Sequence, residues 1–305
     1  MRVFSITLCL LVSLFIMGCG AKEKQAKITP TIHDAVKAND IAGVAEYLRK
    51  GVSVNKHQLD LIDGKAWQDY GTTPLHIAAE NNLIEMAKFL IAHGADVNAQ
   101  DVSGETPLAV AAAAGNINKA LRAKSARMME FLIARGANVN LGNIAHQTVL
   151  YNAVGLDNVQ AVEVLLRNGA EVNGKEDTEK RVPLHEAALY GDIHIIKLLV
   201  EHDADINAQD IGGNTPLHLA ISNGEINGTE ILVKMGANIA TVNKQGQTPL
   251  HMASFHNQIE IVAFLLKQHA IINTKDNKGQ TPLDIAVSQG NQEIIKLLRE
   301  YRGMK

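Results

Sequence analysis

Residues Thr73 to Asn98 read TPLHIAAENNLIEMAKFLIAHGADVN, and much of the remaining chain is this stretch written again. Thr-Pro-Leu-His recurs at Thr215 and Thr248, with the variants Thr106-Pro-Leu-Ala, Thr148-Val-Leu-Tyr, Val182-Pro-Leu-His and Thr281-Pro-Leu-Asp. Successive starts lie 33, 42, 34, 33, 33 and 33 residues apart. The closing phrase returns as RGANVN at Arg135, NGAEVN at Asn168 and MGANIA at Met235, and weakens to HDADIN at His202 and QHAIIN at Gln268. A degenerate first copy runs from Pro30 to Asn55, which makes eight copies between residues 30 and 305.

Each copy reads as two short helices. Thr73 can cap the first with its hydroxyl, and Pro74 suits the first helical position, where no N–H is needed. Small residues Ala78 and Ala79 let neighbouring copies approach. In the second helix Ile84, Ala87, Leu90 and Ile91 fall on one face at helical spacing. Gly94 ends it in a left-handed conformation that carries no Cβ penalty. Asp203 and His269 take that place in later copies, with some strain expected. A lone pair cannot bury its apolar face, so the copies must stack into one continuous core.

A 33-residue period built on T-P-L-H-x-A resembles the ankyrin repeat family over about nine-tenths of the chain. The resemblance implies an all-α solenoid of about eight helix-turn-helix repeats joined by β-hairpin loops. Copies fall at about 30–58, 71–103, 104–143, 146–178, 180–211, 213–245, 246–277 and 279–305. Two insertions interrupt them. One, around Gln58 to Gln68, carries the single tryptophan, Trp67, and by alignment lengthens a hairpin; it either contacts a partner or folds back over the first copy. The other, Gly115 to Ala126, lies between the helices of the third copy and brings Lys119, Arg122 and Lys124; it reads as a solvated helix extension or a basic binding face.

The first twenty residues are of another kind. One charge, Arg2, precedes an apolar run from Val3 to Cys19, short for a bilayer span of about 20 residues. The run ends on Ile16-Met17-Gly18-Cys19, which resembles the lipobox of bacterial lipoproteins. That resemblance implies a signal peptide over 1–18, acylation (palmitate among the acyl chains) at Cys19, and a polar tether over 19–29. Acyl chains contribute about 0.8 kcal/mol per buried methylene, enough together for stable anchoring. The expected place is the bacterial cell envelope, with the periplasmic side of the outer membrane favoured because Gly20, not an aspartate, follows the cysteine. A non-lipidated signal or an uncleaved anchor are the other readings.

Composition narrows the function further. Net charge is −3 and no basic stripe stands out, which argues against a nucleic-acid partner. Both cysteines, Cys9 and Cys19, precede the repeats, so the body has no disulfide and no thiol site. His33, His76, His185, His218 and His251 occupy one repeat slot. Packed helices lie about 8–10 Å apart, while two zinc-bound nitrogens each sit about 2 Å from the ion. Neighbouring slots therefore cannot share a metal, and a metal, a cofactor and a catalytic group are not expected. His185-Glu186 begins an H-E-x-x-H pattern, but Leu189 stands where the second histidine belongs.

In the ankyrin family partners contact the hairpin tips and the exposed end of the first helix, on the concave side. Carried over by position, those slots are mostly small or polar here, except Leu189, Tyr190, Ile211, Phe255 and His256. Tyr70 and Trp67 add two rings near the first hairpin. Aromatic anchors dominate interface energetics, so these seven residues are the candidate partner-binding set. The alternative leans each ring onto its neighbouring helix. The expectation is a monomeric, membrane-tethered, non-enzymatic adaptor that binds a protein and takes no small-molecule substrate. An immunity or inhibitor protein for one enzyme or toxin is the runner-up, and a ligand-binding or catalytic groove comes after it.

Overall fold

The computed structural model describes residues 31–62, 65–69, 71–115, 119–176 and 178–303, and the unit they build begins at Ile32. For residues 59–69, 119–121 and 302–303 the description covers the backbone. The leader with Cys19, and Tyr70, lie outside the described residues.

Helices pair off in chain order. They are α1 (Ile32–Lys37) with α2 (Ile41–Arg49), α3 (Pro74–Glu80) with α4 (Ile84–Ala92), and α5 (Pro107–Ala114) with α6 (Lys119–Ala134). Next come α7 (Val149–Gly155) with α8 (Val159–Arg167), α9 (Pro183–Tyr190) with α10 (Ile193–Glu201), and α11 (Pro216–Ser222) with α12 (Ile226–Lys234). The last are α13 (Pro249–Phe255) with α14 (Ile259–Lys267), and α15 (Pro282–Gln289) with α16 (Gln292–Gly303). Each first helix packs on its own second helix and on the first helix of the next pair. The fold is an all-α repeat solenoid.

The threonine and proline act as the sequence implies. Thr106, Thr148, Thr248 and Thr281 each accept a hydrogen bond from the backbone N–H three residues on. Where histidine follows, the cap is doubled. Thr73 N–H donates to His76 Nδ1 at 3.2 Å, while His76 Nε2 donates to the Glu105 carbonyl of the next repeat at 3.0 Å. Val182 has no hydroxyl, yet its N–H still donates to His185 Nδ1 at 3.1 Å.

Packing repeats with the period. Leu75, Leu108, Leu150, Leu184, Leu217 and Leu250 of the first helices are fully buried, as are Leu90, Leu132, Leu165, Leu199, Leu232 and Leu265 of the second. Each such side chain contributes about 1.5–3 kcal/mol relative to exposure. A third tie joins the loops. Asn98 Oδ1 accepts the Asn138 N–H at 2.8 Å and its Nδ2 donates to the Gly136 carbonyl at 3.2 Å. Asn55, Asn140 and Asn173 make the same pair of bonds to their following repeats. Asn207 receives the Asn238 N–H at 2.9 Å, and the next residue of that row is Ala240.

Both insertions take regular form. Leu59–Ile62 (β1) and Lys65–Asp69 (β2) pair antiparallel, with a register shift between Asp60 and Leu61. The second insertion lengthens α6 at its N-terminal end, to 16 residues against nine in α4 or α8. Ser125 inside it is buried and donates to the Ala111 carbonyl, which ties the longer helix to α5. Among the described residues no helix is long and apolar enough to cross a membrane.

Candidate functional site

Residues four and seven places after each motif threonine share one face of the first helix. From the second pair to the eighth this face presents Ile77 and Glu80, Val110 and Ala113, Asn152 and Gly155, Glu186 and Leu189, Leu219 and Ser222, Met252 and Phe255, then Ile285 and Ser288. It divides into two zones. Its outer positions are mostly apolar from the fifth pair to the seventh (Leu189, Ser222, Phe255) and small over the third and fourth (Ala113, Gly155), above a polar floor of Glu105, Asn152 and Glu186.

In the apolar zone Phe255, last residue of α13, is 48% exposed, and the His256 ring meets it edge-on at 5.1 Å between centroids. Partial burial there holds the His256 pKa below the ordinary imidazole value. Leu189 and Tyr190 are half-buried, because α9 runs on to Tyr190 and holds both in its last turn. Ser222 stands between them and Phe255 in the row, so a small side chain is flanked by two large ones. Ile211 is exposed at a hairpin tip, where its N–H donates to the Glu179 carbonyl of the preceding hairpin at 2.7 Å. Trp67 lies on β2.

The hairpins are built alike. Asp101 Oδ1 accepts the N–H groups of Ser103 and Glu105 at 2.8 and 2.9 Å, and Asp210 does the same for Gly212 and Asn214. Glu176, a longer side chain at that slot, accepts from Thr178, Glu179 and Arg181, and these bonds hold its carboxyl below the usual range against the opposing effect of burial. Ile144 N–H donates to Ser103 O at 3.0 Å, which sets the exposed Val102 and Ile144 on adjoining tips. Val102 is one of the hairpin positions carried over from the family pattern; Ile144 belongs with it and was missed, since its copy departs from the D-x-x-G hairpin sequence. Ile144 is 75% exposed, more than any other large apolar side chain among the described residues.

The polar floor holds two carboxylates in different states. Glu186 is nearly buried; it accepts the Tyr151 hydroxyl at 2.7 Å and pairs with Arg181 Nη1 at 3.4 Å. Burial, with the adjacent Glu186 carboxylate, raises the Tyr151 pKa far above the phenolic value. Glu105 is half-buried, accepts Asn143 Nδ2 at 2.9 Å and has Asn152 Nδ2 at 3.5 Å. Its pKa is raised by burial. Among the described residues no group of three histidines, cysteines or carboxylates is placed to hold a metal ion.

The comparisons with known proteins match this geometry. The family model for ankyrin repeats (3 copies) matches residues 32–122, 117–210, 174–243, 210–276 and 240–305. The chain belongs to the ankyrin-repeat family. It is 38% identical over 97 residues to the potassium channel AKT3 of Oryza sativa subsp. japonica, which covers 32% of this chain and 10% of the channel. It is 30% identical over 180 residues to Rabankyrin-5 of Mus musculus, covering 58% of this chain and 15% of that protein. An ankyrin repeat protein of Rickettsia bellii is 38% identical over 90 residues, 30% of this chain and 54% of its own length. The chain thus spans only part of the relatives it matches. Ankyrin repeats point to protein–protein interaction, and the family typically works without catalysis of its own.

Proposed function

We propose that this ankyrin array is a membrane-anchored adaptor of the bacterial cell envelope, held by an acylated Cys19 and facing the periplasm. Its first-helix face and hairpin tips grip a protein partner. The observation that carries the partner-binding reading is Phe255, a large ring about half exposed on a chain whose aromatic content is only 4%. Leu189, Tyr190, Ile211 and His256 extend the surface, and Trp67 and Tyr70 complete the candidate set from the sequence. A preformed face of this kind binds with little ordering cost. The anchor reading is supported by the apolar run that stops at Cys19 and by the polar, lysine-containing stretch that follows.

The test is crosslinking and capture from membranes with the lipidated protein as bait. Phe255→Ala and Tyr190→Ala should each lower partner recovery about tenfold, as loss of one anchor residue does, with the melting temperature nearly unchanged. Parallel loss of capture and stability would return both residues to the core. Cys19→Ser should move the protein from the membrane fraction to the soluble one; a variant still retained on membranes rules out the lipid anchor.

A further inference from the structure

We infer that Glu105 seats a basic side chain of the partner protein, a lysine or arginine that reaches in across Ala113 and Gly155. The inference rests on the partner-binding reading of the first-helix face. Glu105 closes the hairpin before Thr106, at the floor of the small-residue zone, and its Oε1 takes both amide contacts, from Asn143 and Asn152. Oε2 accepts no hydrogen bond from the described residues and is not among the enclosed polar atoms, so it opens to solvent. No described cation lies within ion-pair distance of this carboxylate, and Asp101 is the charged neighbour that acts on it.

Glu186, two pairs along, shows what the same face does when the chain supplies the counter-charge itself. Arg181 and the Tyr151 hydroxyl occupy it. Glu105 has the amides without the guanidinium. The outer positions of the two neighbouring first helices are small. Ala113 is half-buried at the outer position of α5, and a Cβ built on Gly155, its counterpart on α7, would meet nothing within 4 Å. A long side chain ending in a cation suits this half-buried carboxylate, because charge-assisted bonds to a partly desolvated carboxylate are the strong kind. Its aliphatic stem would lie along Val110 and Ala113. An acidic or neutral polar tip would leave the Glu105 charge uncompensated.

The test uses a random dodecapeptide display library selected on the full-length protein, followed by affinities of individual winners. Retained peptides should be enriched in lysine or arginine at one position. Exchanging that residue for norleucine should weaken binding at least tenfold on the unaltered protein. Glu105→Gln should weaken the parent peptide by the same factor, and the two changes together should cost no more than either one. The glutamine keeps an oxygen for Asn143 and Asn152, and the norleucine comparison needs no variant, so a poorly folded Glu105→Gln leaves the test intact. Peptides that depend on Phe255 but show no basic preference, or that ignore Glu105→Gln, overturn this inference and spare the partner-binding face. Peptides indifferent to both Phe255→Ala and Glu105→Gln overturn the inference and the reading beneath it.

Discussion

The His218 ring joins two repeats. Its Nδ1 accepts the N–H of Thr215 at 3.2 Å and its Nε2 donates to the carbonyl of Gln247, 29 residues on, at 3.1 Å. Because Nδ1 accepts, the ring must be neutral with its hydrogen on Nε2. His76, His185 and His251 repeat the arrangement toward Glu105, Asn214 and Gln280.

Acid should therefore loosen the array. Burial pushes all four of these pKa values, and that of His33, below the ordinary imidazole value of 6.5, and that of His218 falls to about 4. A lowered folded-state value means that the unfolded chain binds protons first. The stabilisation is then fully present above pH 6.5 and drains away as pH falls toward 4. His218 alone accounts for about 3 kcal/mol over that window at 1.36 kcal/mol per unit. Glu105, with its raised value, acts in the opposite direction as a single group. Urea midpoints should be flat from pH 8 to 7 and drop steeply between pH 6 and 4; a midpoint constant to pH 4 contradicts the neutral ladder.

Ala240→Asn should stabilise the chain by about 1 kcal/mol, the net worth of an added hydrogen bond. Ala240 occupies the row in which Asn98, Asn140 and Asn173 clamp the following loop. Beyond it Ile271 is 60% exposed where earlier copies carry Asp96, Asn138 or Asp205. Thermal melts of the variant should rise by a few degrees, and hydrogen exchange in α13 and α14 should slow. Unchanged exchange there would mean that the seam is closed by other contacts.

Asp203→Gly should stabilise by up to about 1 kcal/mol. Asp203 holds φ at +65° where Gly94, Gly136 and Gly169 hold the same turn. The Asp203 carbonyl, which accepts Asn173 Nδ2 at 3.1 Å, is untouched by the change. Chemical denaturation decides it, and a loss of stability would show that the Asp203 carboxylate makes up for the strain.

Phe255→Ala should change stability by less than about 0.5 kcal/mol, as exposed positions do. Leu250→Ala, five residues earlier on the same helix and fully buried, should cost about 2–5 kcal/mol. Equal losses in equilibrium unfolding would contradict the exposure on which the binding face depends.

Much of this architecture could be read from the chain because the motif threonine, proline, leucine and histidine each have a local job. Spacing placed both insertions and gave their form, a lengthened hairpin and a helix extension, which β1–β2 and the 16-residue α6 bear out. Asp63-Gly64, which stands between Leu59–Ile62 and Lys65–Asp69, was the available signal for a two-stranded hairpin. The bond from Ser125 to the Ala111 carbonyl, a contact between separate helices, was not legible in the repeat pattern. Glu105 was illegible for a similar reason. It occupies a slot filled elsewhere by Thr72, Gln147, Arg181, Asn214, Gln247 and Gln280. What sets it apart is two amides, 38 and 47 residues away, and the lack of a cation among the described residues, neither of which a repeat pattern encodes. Phe255 and Ile211 were legible because a large apolar residue is conspicuous on a slot otherwise small or polar.

The matching sockets on the two sides of each pair have an evolutionary consequence. α11 packs on α9 and α13 as α13 packs on α11 and α15, with Leu217, Ala220, Leu250 and Ala253 fully buried, so a duplicated 33-residue unit would dock without redesign of what flanks it. Gain or loss of whole units, through unequal recombination of a self-similar gene, should then lengthen or shorten the array while leaving each remaining joint sound.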